Sequence, residues 1–186
     1  AEGQAAAHLR HPNIVSVYES GQIDGFLYLA LEYVDGSDVL ELMKKQGKIP
    51  VKRSVEIVKQ TAHALQHAAE KGIVHRDIKP DNILFNIDNE PKLVDWGIAR
   101  KTTEAQVHDD EGVLGTPEFI APERVSQTGE SFLSDMYSLA GTLYNALIGR
   151  TPFTGEDPTE IALKQVNEPV QPPNQLIEDI SEETSD

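Results

Sequence analysis

Eight consecutive residues, His75-Arg76-Asp77-Ile78-Lys79-Pro80-Asp81-Asn82, set a carboxylate, an ammonium and a carboxamide within one short stretch. Thirteen residues past Asn82 comes Asp95-Trp96-Gly97. Taken singly these are ordinary, Asp77 reading as a surface turn acid and Asn82 as a cap. In this order and spacing they read as the chemical half of a phosphoryl-transfer site. Such a transfer needs a hydroxyl aimed at the γ-phosphorus and positive charge beside the phosphoryl oxygens. Asp77 can accept a hydrogen bond from that hydroxyl and orient it. Lys79 brings an ammonium to the transferred group. Asn82 and Asp95 offer the hard oxygen ligands that Mg²⁺ prefers. Ile83-Leu84-Phe85 and Pro91-Lys92-Leu93-Val94 flank a turn at Asp88-Asn89, predicting a short hairpin that holds Asn82 close to Asp95.

With these residues the chain resembles a protein kinase catalytic domain of the eukaryotic-like serine/threonine type. His75 to Asn82 resembles the catalytic loop, and Asp95-Trp96-Gly97 the metal-binding Asp-Phe-Gly with Trp in place of Phe. Ala121-Pro122-Glu123 resembles the close of the activation segment, and Lys79-Pro80 the serine/threonine form of the loop. The resemblance implies an α+β, protein-kinase-like fold. Residues 1–34 would be a remnant of the small lobe with a hinge at 32–36, residues 35–175 the large lobe, and 176–186 an acidic tail entering a truncated helix. ATP and Mg²⁺ are the implied cofactors, and Ser/Thr of protein substrates the acceptors.

The remaining site residues also follow from the resemblance. Glu2 falls where the regulatory helix pairs a glutamate with the ATP-anchoring lysine. Leu31 would be the gatekeeper, the backbone groups of Glu32 and Val34 would meet the adenine edge, Asp38 would lie near the ribose, and Leu84 beneath adenine. Thr116, in the segment Gly115 to Glu123 that resembles the peptide-docking surface, would hydrogen-bond Asp77 and Lys79. Asp135 resembles the acid that supports the catalytic-loop backbone from below. Glu123 would be left without the downstream arginine that is its usual partner. Trp96 would press on His75 and bear on the balance between active and inactive forms. Arg76 usually pairs with a phosphorylated residue of the activation loop; here that region reads His108-Asp109-Asp110-Glu111, while the hydroxyls Thr102 and Thr103 come earlier. The glycine-rich loop and strand lysine of the family are expected upstream of Ala1, so these 186 residues alone are expected to turn over negligibly.

The elements that must position these groups are legible from pattern. Ile14–Glu19 and Phe26–Tyr33 read as strands around a turn at Gly21–Gly25. Val39–Gln46 reads as a short helix stopped by Gly47 and Pro50. Val51–Lys71 reads as a long one, with Val55, Ile57, Val58, Thr61, Ala62, Leu65 and Ala68 as its apolar stripe and Gly72 at its end. Ser134–Gly149 reads as a second core helix capped by Ser134 or Asp135, its apolar face formed by Met136, Leu139, Ala140, Leu143, Leu147 and Ile148. Pro158–Glu168 predicts another, and Ser181 caps a further start. His63 and His67 stand at metal-ligand spacing on the long helix, with no third ligand at suitable spacing.

Composition narrows the class. Hydrophobic residues make up 39% and cysteine is absent, so a packed core is affordable and disulfide or thiolate chemistry is not. No apolar run approaches a membrane span, and a cytoplasmic setting is expected, including as the cytoplasmic part of a membrane-anchored kinase. The net charge of −15, of which −8 lies from Glu156 onward, argues against nucleic-acid and anionic-membrane surfaces. The oligomeric state is open. Two other functions fit in part: a pseudokinase acting as a binding module, and a small-molecule kinase of the aminoglycoside-phosphotransferase type. Lys79-Pro80 and the Gly115 to Glu123 segment favour extended peptides over small molecules. The loop style resembles bacterial receptor-type serine/threonine kinases.

If Asp109, Asp110 or Glu111 partly replaces a phosphate as partner of Arg76, neutralising all three lowers phosphotransfer in the complete domain. Unchanged activity in that triple variant rules the replacement out.

Overall fold

The computed structural model describes residues 9–96, 100–101, 116–178 and 180–185. Glu2, Asp109, Asp110, Glu111, Thr102 and Thr103 lie outside them. The framework is helical, with small two-stranded sheets where the chain turns toward the site.

The first sheet pairs β1 (Val17–Ile23) with β2 (Phe26–Leu31) antiparallel. The turn is Asp24-Gly25 alone, both residues at positive φ (51° and 86°), the two-residue geometry that matches strand twist. Gly21, expected in the turn, lies within β1, where a Cβ would collide with the Tyr28 ring at 2.7 Å. The strand also starts later than its apolar pattern predicts. Ile14 and Val15 are buried against β5 (Pro91–Leu93) instead: Ile14 bridges Leu93, and the Val15 N–H donates to the Leu93 carbonyl at 3.0 Å. Asn13 reinforces that junction, its side-chain amide donating to the Pro91 carbonyl and to Gln60.

Two helices form the body. α1 (Val39–Gln46) begins where expected, with Asp38 accepting from the Glu41 N–H at 2.7 Å as its cap. α2 (Val51–Ala69) ends before Lys71; Gly72 at φ 69° turns the chain away. Ile57, Thr61, Leu65 and Ala68 face the core as expected, but Val55 is exposed and Ala64 takes an unforeseen buried place. β3 (Ile73–Val74) follows and pairs with β6 (Arg100–Lys101). β4 (Ile83–Phe85) and β5 (Pro91–Leu93) form the expected hairpin, with Asn89 at φ 59° in its turn.

After the one-turn helix α3 (Pro122–Val125), α4 (Phe132–Ile148) crosses the core. Its cap is Ser131, not Ser134 or Asp135. Ser131 accepts from the Leu133 N–H at 3.1 Å, and Ser134 reaches back to the Ser131 N–H. That shift frees Ser134 and Asp135, both buried, to face the site. Ala140, expected on the apolar face, is exposed. α5 (Pro158–Asn167) and α6 (Glu182–Ser185) complete the described elements. Past 175, Ile180 is buried in a second cluster with Tyr144, Leu147 and Ile148. Ser181 accepts from the Thr184 N–H at 3.3 Å, the cap its sequence suggests.

The link between hinge and hairpin is tight at Gly36, where a Cβ would stand 2.1 Å from the Phe85 carbonyl oxygen. Backbone cannot yield as a flexible side chain does. Gly36→Ala is therefore expected to destabilise the fold by about 1–3 kcal/mol, read as a lower urea midpoint.

Candidate active site

The chain from Val74 to Asn82 is held from below by one buried carboxylate. Asp135, 3% exposed, accepts from the His75 N–H and the Arg76 N–H, each at 2.8 Å. Burial pushes its carboxyl above the ordinary range, against the opposing pull of His75, these two backbone donors and Arg124. Arg76 is bent to φ 80°, a conformation rare outside glycine, and Asp95 stands at φ 59°.

His75 is fully buried and ties the loop to the strand leading to Asp95. Its Nδ1 accepts from the Asp77 N–H at 3.3 Å, leaving Nε2 to carry the proton and donate to the Val94 carbonyl at 2.9 Å. Burial lowers its pKa below the usual 6.5, although Asp135, Asp77 and Asp95 pull upward. Trp96, 3% exposed, sets its ring edge-on to His75 with centroids 4.5 Å apart, and its indole N–H donates to the Leu93 carbonyl. The expected contact between Trp96 and His75 is thus present.

Asp77 is the meeting point. Its Oδ1 accepts from the Thr116 hydroxyl at 3.0 Å, and its Oδ2 from Lys79 Nζ at 3.0 Å and the Asn82 amide at 3.1 Å. Asn82 also donates to the Asp77 carbonyl at 2.7 Å, which spans the loop and fixes its curvature. Lys79 lies 3.7 Å from Asp81 as well. Burial alone would lower its pKa, but the hydrogen bond to Asp77 and the charges of Asp77, Asp81 and Asp95 raise it, so the ammonium stays charged. Of the two partners expected for Thr116, only Asp77 is found among the described residues.

Asn82 and Asp95 are joined through the hairpin, where the Val94 N–H donates to the Asn82 carbonyl at 3.0 Å. The Asn82 amide nitrogen is committed to Asp77, and its Oδ1 has no hydrogen bond among the described residues. Asp95 is exposed. A neutral oxygen and a carboxylate are a donor set that suits Mg²⁺ completed by phosphate and water. Among the described residues, no three acidic or imidazole groups gather to hold a metal without such help.

Glu32, just past β2, is anchored through its side chain. Its carboxylate meets Lys92 Nζ at 2.7 Å and accepts from the Ser16 N–H at 3.0 Å. Burial would raise its pKa, but these partners outweigh that and lower it. Its own N–H donates to the Ser16 carbonyl at 2.8 Å. The Val34 carbonyl accepts from the Gly36 N–H at 3.2 Å, and the Val34 side chain packs on the core. Leu31 is 40% exposed. Asp38 bridges Leu84, which brings both toward the hinge, and its carboxylate is occupied as the α1 cap.

Several contacts were not foreseen. Glu123 accepts from the Ser134 hydroxyl at 2.6 Å. Gln165, 5% exposed, donates to the Pro117 and Glu118 carbonyls at 3.1 and 2.9 Å and fixes the segment beside Thr116. Arg76 meets Glu130, which also meets Arg124. No local pattern marks Gln165 or Glu130, because each reaches its partner only through the tertiary fold. A cavity of about 260 Å³ lies behind the Thr116 segment, lined by Tyr137, Tyr144, Leu147, Gln165 and Val170, and no catalytic-loop residue borders it.

A family model described as protein kinase domain matches residues 1–186. The serine/threonine-protein kinase PknB of Mycobacterium leprae is 38% identical over 185 residues, covering 97% of this chain and 30% of that protein. PknB of Mycobacterium tuberculosis strain H37Rv is 37% identical over 186 residues, with the same two coverages. A probable serine/threonine-protein kinase of Clostridium perfringens is 33% identical over 185 residues, covering 100% of this chain and 27% of that protein. The chain thus spans less than a third of the length of these curated relatives. No helix among the described residues is long and apolar enough to cross a membrane.

Buried neutral, His75 makes stability depend on pH. The unfolded imidazole binds a proton near 6.5 and the folded one only at lower pH, so stability is full above 6.5 and is lost as pH falls below it. The urea midpoint is expected to fall more steeply below that pH in the wild type than in His75→Phe. Equal slopes contradict this account.

Proposed function

This chain belongs to the protein kinase domain family, and we propose that it carries ATP-dependent phosphoryl transfer to serine or threonine hydroxyls of protein substrates. The observation that carries the reading is the Asp77 carboxylate, gripped on one oxygen by Thr116 and on the other by Lys79 and Asn82. A carboxylate so fixed, beside the segment 116–119, is set to receive a hydroxyl from an extended peptide.

Asp77 accepts the hydrogen bond of the incoming hydroxyl and aims its oxygen at the γ-phosphorus. Lys79, kept cationic by its carboxylate neighbours, lies where charge on the transferred phosphoryl group needs an opposite partner. Asn82 Oδ1 and Asp95 would hold Mg²⁺, which supplies neutralisation of the phosphate oxygens when bound. Thr116 positions Asp77 from the peptide side. Glu32 and Val34 offer backbone groups to adenine, with Leu31, Asp38 and Leu84 around them, and Glu2 belongs to the same nucleotide site. Trp96 and Asp135 act through His75 and the loop backbone, and Arg76, Asp110 and Glu123 bear on regulation. The proposal places the domain in the cytoplasm, including as the cytoplasmic part of a membrane-anchored kinase.

The test is transfer from labelled ATP to a protein substrate by the full-length protein, beside Asp77→Asn. The variant is expected to lose about 10²–10⁴-fold in rate, with the fold intact by circular dichroism. A folded, Mg-ATP-saturated wild type that transfers nothing would shift the reading to a binding module.

A further inference from the structure

Arg76 immediately precedes the proposed base, and its strained backbone is pinned on both sides. The N–H donates to Asp135 at 2.8 Å, and the carbonyl accepts from Arg124 Nη1. Its guanidinium, 5% exposed, meets Glu130 Oε2 at 2.5 Å, while Arg124 Nε, also 5% exposed, meets Glu130 Oε1 at 3.3 Å. Neither Nε points its N–H squarely at the carboxylate, so Glu130 acts here by charge. Two buried guanidinium groups this close repel each other unless an anion lies between them. Glu130 supplies one from the folded chain itself, without a modification.

We propose that Glu130, acting with Arg124, is a positioning residue for the transfer reaction: it holds Arg76 in its strained conformation and so sets the direction in which Asp77 faces the substrate. This rests on the function proposed above. Glu130 stands 54 residues from Arg76 in sequence, and its ion pairs among the described residues are with Arg76 and Arg124 rather than with Asp77, Lys79 or Asn82. Its effect therefore falls on the geometry of Asp77. Neutralising it removes the negative charge that the two guanidinium groups share and loosens the Arg124 grip on the Arg76 carbonyl.

The experiment uses the full-length protein with Glu130→Gln and the conservative Glu130→Asp. Glu130→Gln is expected to lower kcat by about tenfold to a hundredfold, with KM for ATP nearly unchanged, and Glu130→Asp to recover part of the loss. Amide hydrogen exchange over residues 75–79 should accelerate in Glu130→Gln while the long helix 51–69 keeps its protection. Unchanged kcat together with unchanged exchange in the loop overturns the proposal. So does acceleration spread evenly over the whole domain, which would mark a merely structural role. If the wild type transfers no phosphate, the proposed function fails, and the exchange readout still decides whether Glu130 holds the loop.

Discussion

One buried carboxylate sets the shape of everything around it. Asp135 lies in the first turn of α4, and both its oxygens are taken by the backbone N–H groups of His75 and Arg76. Those two donors belong to a stretch that makes neither helix nor strand hydrogen bonds, so without Asp135 they would be buried and unsatisfied, at about 1–3 kcal/mol each. The same pair of bonds lets Arg76 hold a positive φ that its own side chain disfavours. α4 can offer this acid because Ser131 begins the helix early enough to bring Asp135 inward.

The groups above the loop are then gathered by charge. Asp77, Lys79 and Asp81 alternate in sign along a short stretch, and the Asn82 amide closes the curve back to Asp77. Half-burial strengthens these pairings relative to open water, which is why Lys79 keeps its proton despite partial desolvation. His75 makes no charge contribution of this kind. Neutral and enclosed against Trp96, it joins the loop to the Val94 carbonyl, and thus to the strand that delivers Asp95.

The strands at 17–31 reach this assembly through a few specific contacts rather than a broad interface. Ile14 and Val15 insert into the large core, Asn13 ties the Pro91 carbonyl, and Glu32 pairs with Lys92 on β5. Gly36 then lets the hinge press on the Phe85 backbone. All of these contacts land on the β4–β5 hairpin or its immediate flank, the hairpin that presents Asn82 and Asp95. The segment 32–36 is therefore tied by packed and hydrogen-bonded contacts to the hairpin that carries Asn82 and leads to Asp95.

The features legible from the residue pattern are local. The loop 75–82, the hairpin at 83–93 and the helix at 39–46 involve residues near each other along the chain, where spacing, turn chemistry and periodicity are sufficient. Periodicity was less exact where a helix end depends on capping: Ser131 rather than Ser134 begins α4, and Gly72 closes α2 after an early finish. Tertiary structure alone decided how distant charges are shared. Glu130 between Arg76 and Arg124, Ser134 on Glu123, and Gln165 beneath Pro117 and Glu118 each join residues many positions apart. No period or motif encodes such a meeting, because a buried polar group takes whichever partner the packed fold brings within hydrogen-bond reach.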